Sequence, residues 1–187
     1  YDVHPYILLN WQDNYDSVRT LAHEGGHSAH SWLSNHKQPW PKANYAIFTA
    51  EVASTFNERM LLAKSLKEAL ARKESAKTDA ERAQINDELL FYLGNALESF
   101  RQTFFRQTMF AEFEVKLHKE LEEHRSLTGE DLSRFYGELL REYQGDPNVV
   151  KIEDDYNIEW AFVHHFFRNF YVYQYATGLV TSVAFSE

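Results

Sequence analysis

No cysteine occurs in the 187-residue chain. That excludes a disulfide framework, a thiolate nucleophile and a metal centre built on cysteine sulfur. It agrees with a reducing, cytoplasmic setting, which is the expected location. Glycine and proline are scarce, 7 and 4 residues, and so few turn formers argue against a fold of many short strands. No apolar run approaches the roughly 20 residues that a membrane-spanning helix needs, and the N-terminus carries no signal-peptide pattern. Basic residues are outnumbered, 19 Lys and Arg against 28 Asp and Glu, for a formal net charge of -9. The chain therefore lacks the basic face that nucleic acid requires. Neither a membrane nor a nucleic acid is expected as a partner.

What is present points to helices. At 44% hydrophobic and 25% charged, the composition is that of a soluble globular protein. Aromatics are abundant, with 14 Phe, 11 Tyr and 4 Trp. Residues 1–12 read as an extended segment or a strand. A helical pattern runs from about Tyr15 to Ser34, and the two prolines of residues 35–44 mark a loop. Helix returns from about Tyr45 to Ala71. A polar turn at residues 72–80 precedes a long helical stretch from about Glu81 to Glu123, with a break near Gly94 as one option. Thr128-Gly129-Glu130-Asp131 opens a shorter helix that stops before Gly145-Asp146-Pro147. A last aromatic-rich helix starts near Asn157. The expected fold class is all-α, with one domain over residues 1–187. The chain opens at Tyr1 without methionine and closes at Phe185-Ser186-Glu187 within an apolar helical pattern. It is accordingly read as a piece of a longer protein.

The chemistry concentrates at His23-Glu24-Gly25-Gly26-His27, an HExxH motif. Side chains four apart share a helical face, so both imidazoles can reach one metal ion. Glu24 stands one step around the helix, where it can take a proton from a water at the metal. Gly25 and Gly26 each cost a helix roughly 1 kcal/mol relative to alanine, which suggests close packing at that point. A catalytic zinc needs a third protein ligand and one open position. A metzincin would place histidine six residues after the second ligand, but that position is Leu33. No Asp or Glu lies between His27 and Glu51. Glu51, on the next helix, is assigned as third ligand. Glu58 lies two turns further along the same face and is read as a carboxylate accepting a hydrogen bond from a ligand histidine. His30 and His36 are rival ligands, and His118 and His124 read as solvated surface residues.

HEGGHSAH followed by FTAEVASTFNE resembles the thimet-oligopeptidase-like zinc metallopeptidases, and most of all their bacterial oligoendopeptidase F branch. NWQDNYDSVRTLAHEGGHSAHSWLS, FRQTMFAEFE (Phe105 to Glu114) and HFFRNFYVYQYATG (His165 to Gly178) are similar to three further stretches of that branch. The resemblance implies a zincin-type helical catalytic domain, one zinc ion held by His23, His27 and Glu51, Glu24 as catalytic base and Glu58 in support of the ligands. It implies that His165 and a tyrosine of FYVYQY bind substrate and stabilise the tetrahedral intermediate, with Tyr175 the first choice and Tyr171 the second. The neighbouring Phe166, Phe167, Phe170 and Tyr173 are expected in the core.

Two features depart from the family pattern. Gly25 stands where members often carry Phe, and members are considerably longer. The chain would then be the C-terminal catalytic part, without the N-terminal helical portion or the last helices. An apolar wall left open in this way is expected to favour self-association.

The activity so implied is endopeptidase action on short oligopeptides. Two other readings use the same residues. One is a metallocarboxypeptidase with the same HExxH chemistry, and the other a non-catalytic metal-binding helical fragment.

Overall fold

The computed structural model describes residues 1–123 and 126–186, the side chain of Ile47 apart. His124, one of the histidines read as solvated, lies outside the described residues. The described residues form helices and no strands: α1 (Tyr15–Lys37), α2 (Trp40–Ala43), α3 (Ile47–Ser75), α4 (Asp79–Ser99), α5 (Arg106–Glu122), α6 (Gly129–Gln144) and α7 (Tyr173–Ser186). A π-helical stretch, Phe100–Phe105, lies between α4 and α5, and two 3₁₀ segments, Asp154–Phe162 and His164–Phe167, precede α7. No described helix is long and apolar enough to cross a membrane. The chain forms two compact units, one of Tyr1–Phe100 with Thr177–Glu187, the other of Arg101–Ala176.

In the first unit α1 starts at Asn14, whose side chain accepts the Ser17 N–H at 2.9 Å. This satisfies one of the donors that a helix N-terminus leaves open. The loop expected at 35–44 is shorter than its composition suggests, because Pro41 sits in the first turn of α2, where a missing N–H costs nothing. α3 packs between α1 and α4. Thr78 and Glu81 cap α4 reciprocally, and Arg72 of α3 donates to Glu88 of α4 at 2.6 Å. Gly94 does not break α4. One exposed glycine costs about 1 kcal/mol, too little to end a cooperative helix of this length. The helical irregularity falls instead at Phe100–Phe105.

The second unit buries Met109, Phe110 and Phe113 of α5 against Phe135, Tyr136, Leu139 and Leu140 of α6, with Val172 joining them. These positions are spaced three and four residues apart along each helix, with adjacent pairs, so each helix offers one apolar stripe. Tyr136 is fully buried, and its hydroxyl donates to Glu159 at 2.6 Å. Burial and that carboxylate raise its pKa. Arg106 pairs with the same Glu159.

The aromatic helix expected from Asn157 is not an α-helix there. Residues 154–167 form 3₁₀ turns, and α7 begins only at Tyr173. Aromatic periodicity misleads at this place because the side chains are divided between a core and an exposed rim. Phe166 packs on the core, whereas Phe167 is 90% exposed and Phe170 and Tyr173 are also exposed. His118 is not free in solvent, since its ring lies 4.7 Å from that of Phe170.

Candidate metal centre

The site begins with how closely α1 and α3 approach. A Cβ added at Gly26 would fall 2.5 Å from the Ala53 carbonyl oxygen and 2.7 Å from Ser54 Cα. Backbone meets backbone there, and only glycine fits. Asn57 ties the helices further, donating from Nδ2 to the Ala22 carbonyl at 2.6 Å. The register is antiparallel: His23 meets Glu58 while His27, one turn later, meets Glu51.

This approach yields a direct test. Replacing Gly26 with Ala improves helix propensity by about 1 kcal/mol, but overpacking costs typically 1–3 kcal/mol. The backbone clash should win, lowering the thermal midpoint of the metal-free chain. A higher midpoint would contradict the close approach.

Three donors converge at this crossing. His23 Nε2 lies 3.4 Å and His27 Nε2 3.7 Å from Glu51 Oε2. One ligand atom from each of His23, His27 and Glu51 lies within 4.8 Å of the others, the one such group among the described residues. Ligands about 2.0–2.2 Å from a tetrahedral zinc lie on the order of 3.4 Å apart. The His–Glu spacings match that value, so the residues fit a zinc ion, and nitrogen and carboxylate donors suit zinc chemically.

A second layer fixes the first. His23 Nδ1 donates to Glu58 Oε1 at 2.6 Å, which leaves Nε2 directed at Glu51. Arg19, one turn before His23, donates to Glu58 Oε2 at 2.9 Å and to Asp16 at 2.8 Å. Ser54 Oγ donates to Glu51 Oε2 at 2.9 Å. Burial disfavours the His23 imidazolium, but the bond to Glu58 and the charges of Glu58, Glu51 and Glu24 outweigh it, so the His23 pKa lies above its ordinary value. Near Glu51, α7 also comes close, since a Cβ at Gly178 would stand 3.3 Å from Glu51 Cβ.

The rival histidines His30 and His36 are not in that group among the described residues. His36 Nδ1 donates to the Trp32 carbonyl at 2.7 Å. His30 stacks on Tyr45 with ring centroids 3.7 Å apart. Arg19, Ser54, Asn57 and Gly178 escape a reading of the sequence. Arg19 left a trace there, one turn before the first histidine on the same helical face.

His165, Tyr171 and Tyr175 gather in the second unit. Tyr175 Oη lies 3.4 Å from His165 Nε2 and donates to Tyr171 Oη at 3.1 Å. Tyr171 precedes α7, so this contact comes from the turn into the helix. Burial, with the charges of His164 and Arg168, lowers the His165 pKa from its ordinary value.

A family profile described as peptidase family M3 matches residues 2–187. The chain is 43% identical over 190 residues to oligopeptidase PepF of Bacillus subtilis, covering 100% of this chain and 26% of that protein. It is 42% identical over 187 residues to the plasmid-encoded oligoendopeptidase F of Lactococcus lactis subsp. cremoris, covering 100% of this chain and 28% of that protein. The crystal structure of oligoendopeptidase-F from Enterococcus faecium aligns with a TM-score of 0.67 at 36% identity, over 91% of this chain and 27% of that one. The chain thus spans little more than a quarter of the length of these relatives.

Proposed function

The chain belongs to peptidase family M3, and on that premise we propose that it carries the centre of a zinc-dependent endopeptidase acting on short oligopeptides. The observation that carries this reading is the convergence of His23, His27 and Glu51, at a spacing suited to one tetrahedral zinc, beside a glutamate that follows the first histidine. His23, His27 and Glu51 would hold the ion. Bound zinc supplies Lewis acidity, polarising the scissile carbonyl and acidifying a water. Glu24 takes a proton from the attacking water and passes it to the departing amine. Glu58, braced by Arg19, keeps the His23 ring turned and its Nδ1 protonated. His165 and Tyr175 would be the donors for the oxyanion, with Tyr171 hydrogen-bonded to Tyr175. Residues 1–187 act together as one catalytic domain in this reading, and the substrate is the oligopeptide named for the relatives.

The test is an internally quenched peptide with a blocked C-terminus, offered to the zinc-loaded chain. Internal cleavage that stops on chelation and returns with zinc is expected. Release of a terminal residue only from unblocked peptides would favour a carboxypeptidase. Zinc binding without any turnover would favour the non-catalytic reading.

Glu58 permits a graded test. Glu58→Ala should weaken zinc by about 10–100-fold, the range for carboxylates behind ligand histidines, in competition with a chromophoric chelator. Unchanged affinity would remove Glu58 from the site.

A further inference from the structure

Glu114 is a carboxylate in an apolar place. It lies on the core-facing side of α5 beside Phe113, only 4% exposed. A buried carboxylate is costly unless hydrogen bonds compensate it. Its Oε1 accepts one from the backbone N–H of Phe170 at 2.7 Å, 56 residues away in sequence. Its Oε2 is buried and has no hydrogen-bond partner. Burial accordingly raises the carboxyl pKa, against the Phe170 N–H and the His118 charge. Nothing in the α5–α6 packing calls for an acid here, so the reason lies in the residue it holds.

Phe170 is in the left-handed region, with φ of 54°. A bulky aromatic side chain is rarely found there. The backbone on either side is anchored. The Arg168 N–H donates to the His165 carbonyl at 2.9 Å and the Tyr171 N–H to the Arg168 carbonyl at 3.1 Å, while Val172 is fully buried. The reversal at Phe170 therefore sets the direction in which the chain runs from His165 into Tyr171 and Tyr175. Two side chains of α5, one turn apart, grip this residue. Glu114 takes its N–H, and the His118 ring lies against its ring at 4.7 Å.

We propose that Glu114 is a positioning residue, which holds the Phe170 turn so that His165, Tyr171 and Tyr175 meet. Its effect on turnover rests on the reading of His165 and Tyr175 given above; its effect on the turn does not. The experiment pairs Glu114→Met, which keeps bulk and removes the acceptor, with Glu114→Gln, whose amide oxygen can still accept the Phe170 N–H. Hydrogen exchange followed by mass spectrometry should show residues 164–172 exchanging at least about tenfold faster in Glu114→Met, as loss of a hydrogen bond to a charged group implies. The α5–α6 core should stay protected, and Glu114→Gln should restore the segment. In turnover, Glu114→Met should lower kcat about tenfold with KM within about twofold of the original, and should add little to the loss caused by Tyr175→Phe.

Unchanged exchange at 164–172 in Glu114→Met would overturn the proposal. So would equal loss of protection in core and segment, or a full additive effect on top of Tyr175→Phe. Selective loss of protection, with Tyr175→Phe itself harmless to turnover, would uphold the positioning role and remove only the reading of Tyr175.

Discussion

Glu24→Gln should leave zinc bound and stop turnover. The amide keeps the size of the side chain and cannot take a proton, so the change removes the base and little else. General base catalysis contributes typically about 10²–10⁴-fold, and the loss should be at least of that order. The group of side chains that could hold a metal is His23, His27 and Glu51, and Glu24 is not among them, so zinc stoichiometry should be unaffected. The measurement is zinc content and single-turnover cleavage on the same sample. Near-original turnover with zinc in place would remove Glu24 from the mechanism.

Glu51→Ala should lose the metal. Glu51 Oε2 faces Nε2 of both His23 and His27, at 3.4 and 3.7 Å, and no other carboxylate completes a three-residue group with His23 and His27 among the described residues. The fall in affinity should exceed the roughly 100-fold limit for carboxylates behind the ligands. It should also appear in stability. Zinc at 100 times its dissociation constant stabilises the folded chain by about 2.7 kcal/mol, and that increment should vanish in the variant. Stoichiometric zinc in Glu51→Ala, together with its loss in His30→Ala, would transfer the third ligand to His30.

The contrast between the two halves of the sequence is physical. The pairing of His23 and His27 was legible because they lie one helical turn apart, and helix geometry alone brings them together. Glu51 was legible as a candidate, as the first acid after His27 beyond a loop that permits an antiparallel return, and it does group with His23 and His27. Gly26 was suspect on helix propensity, but what it makes room for, the Ala53 carbonyl, appears only when α3 is in place. Arg19 and Asn57 look like ordinary polar surface residues until their partners Glu58 and Ala22 arrive from 39 and 35 residues away. The segment from Asn157 misled because an aromatic run is compatible with a helix face, and the determinants of its 3₁₀ turns and of the Phe170 reversal are tertiary. They include Glu159, which pairs with Arg106 and Tyr136, and Glu114, which holds the Phe170 N–H. Such contacts leave no periodicity in a sequence.

The central claim is that His23, His27 and Glu51 hold one zinc ion. X-ray absorption at the zinc edge of the loaded chain tests it most directly. The account predicts one zinc per chain in a four-coordinate shell of nitrogen and oxygen at about 2.0–2.2 Å, with scattering from two imidazoles. A six-oxygen shell, a third imidazole, or a spectrum unchanged by Glu51→Ala would contradict it.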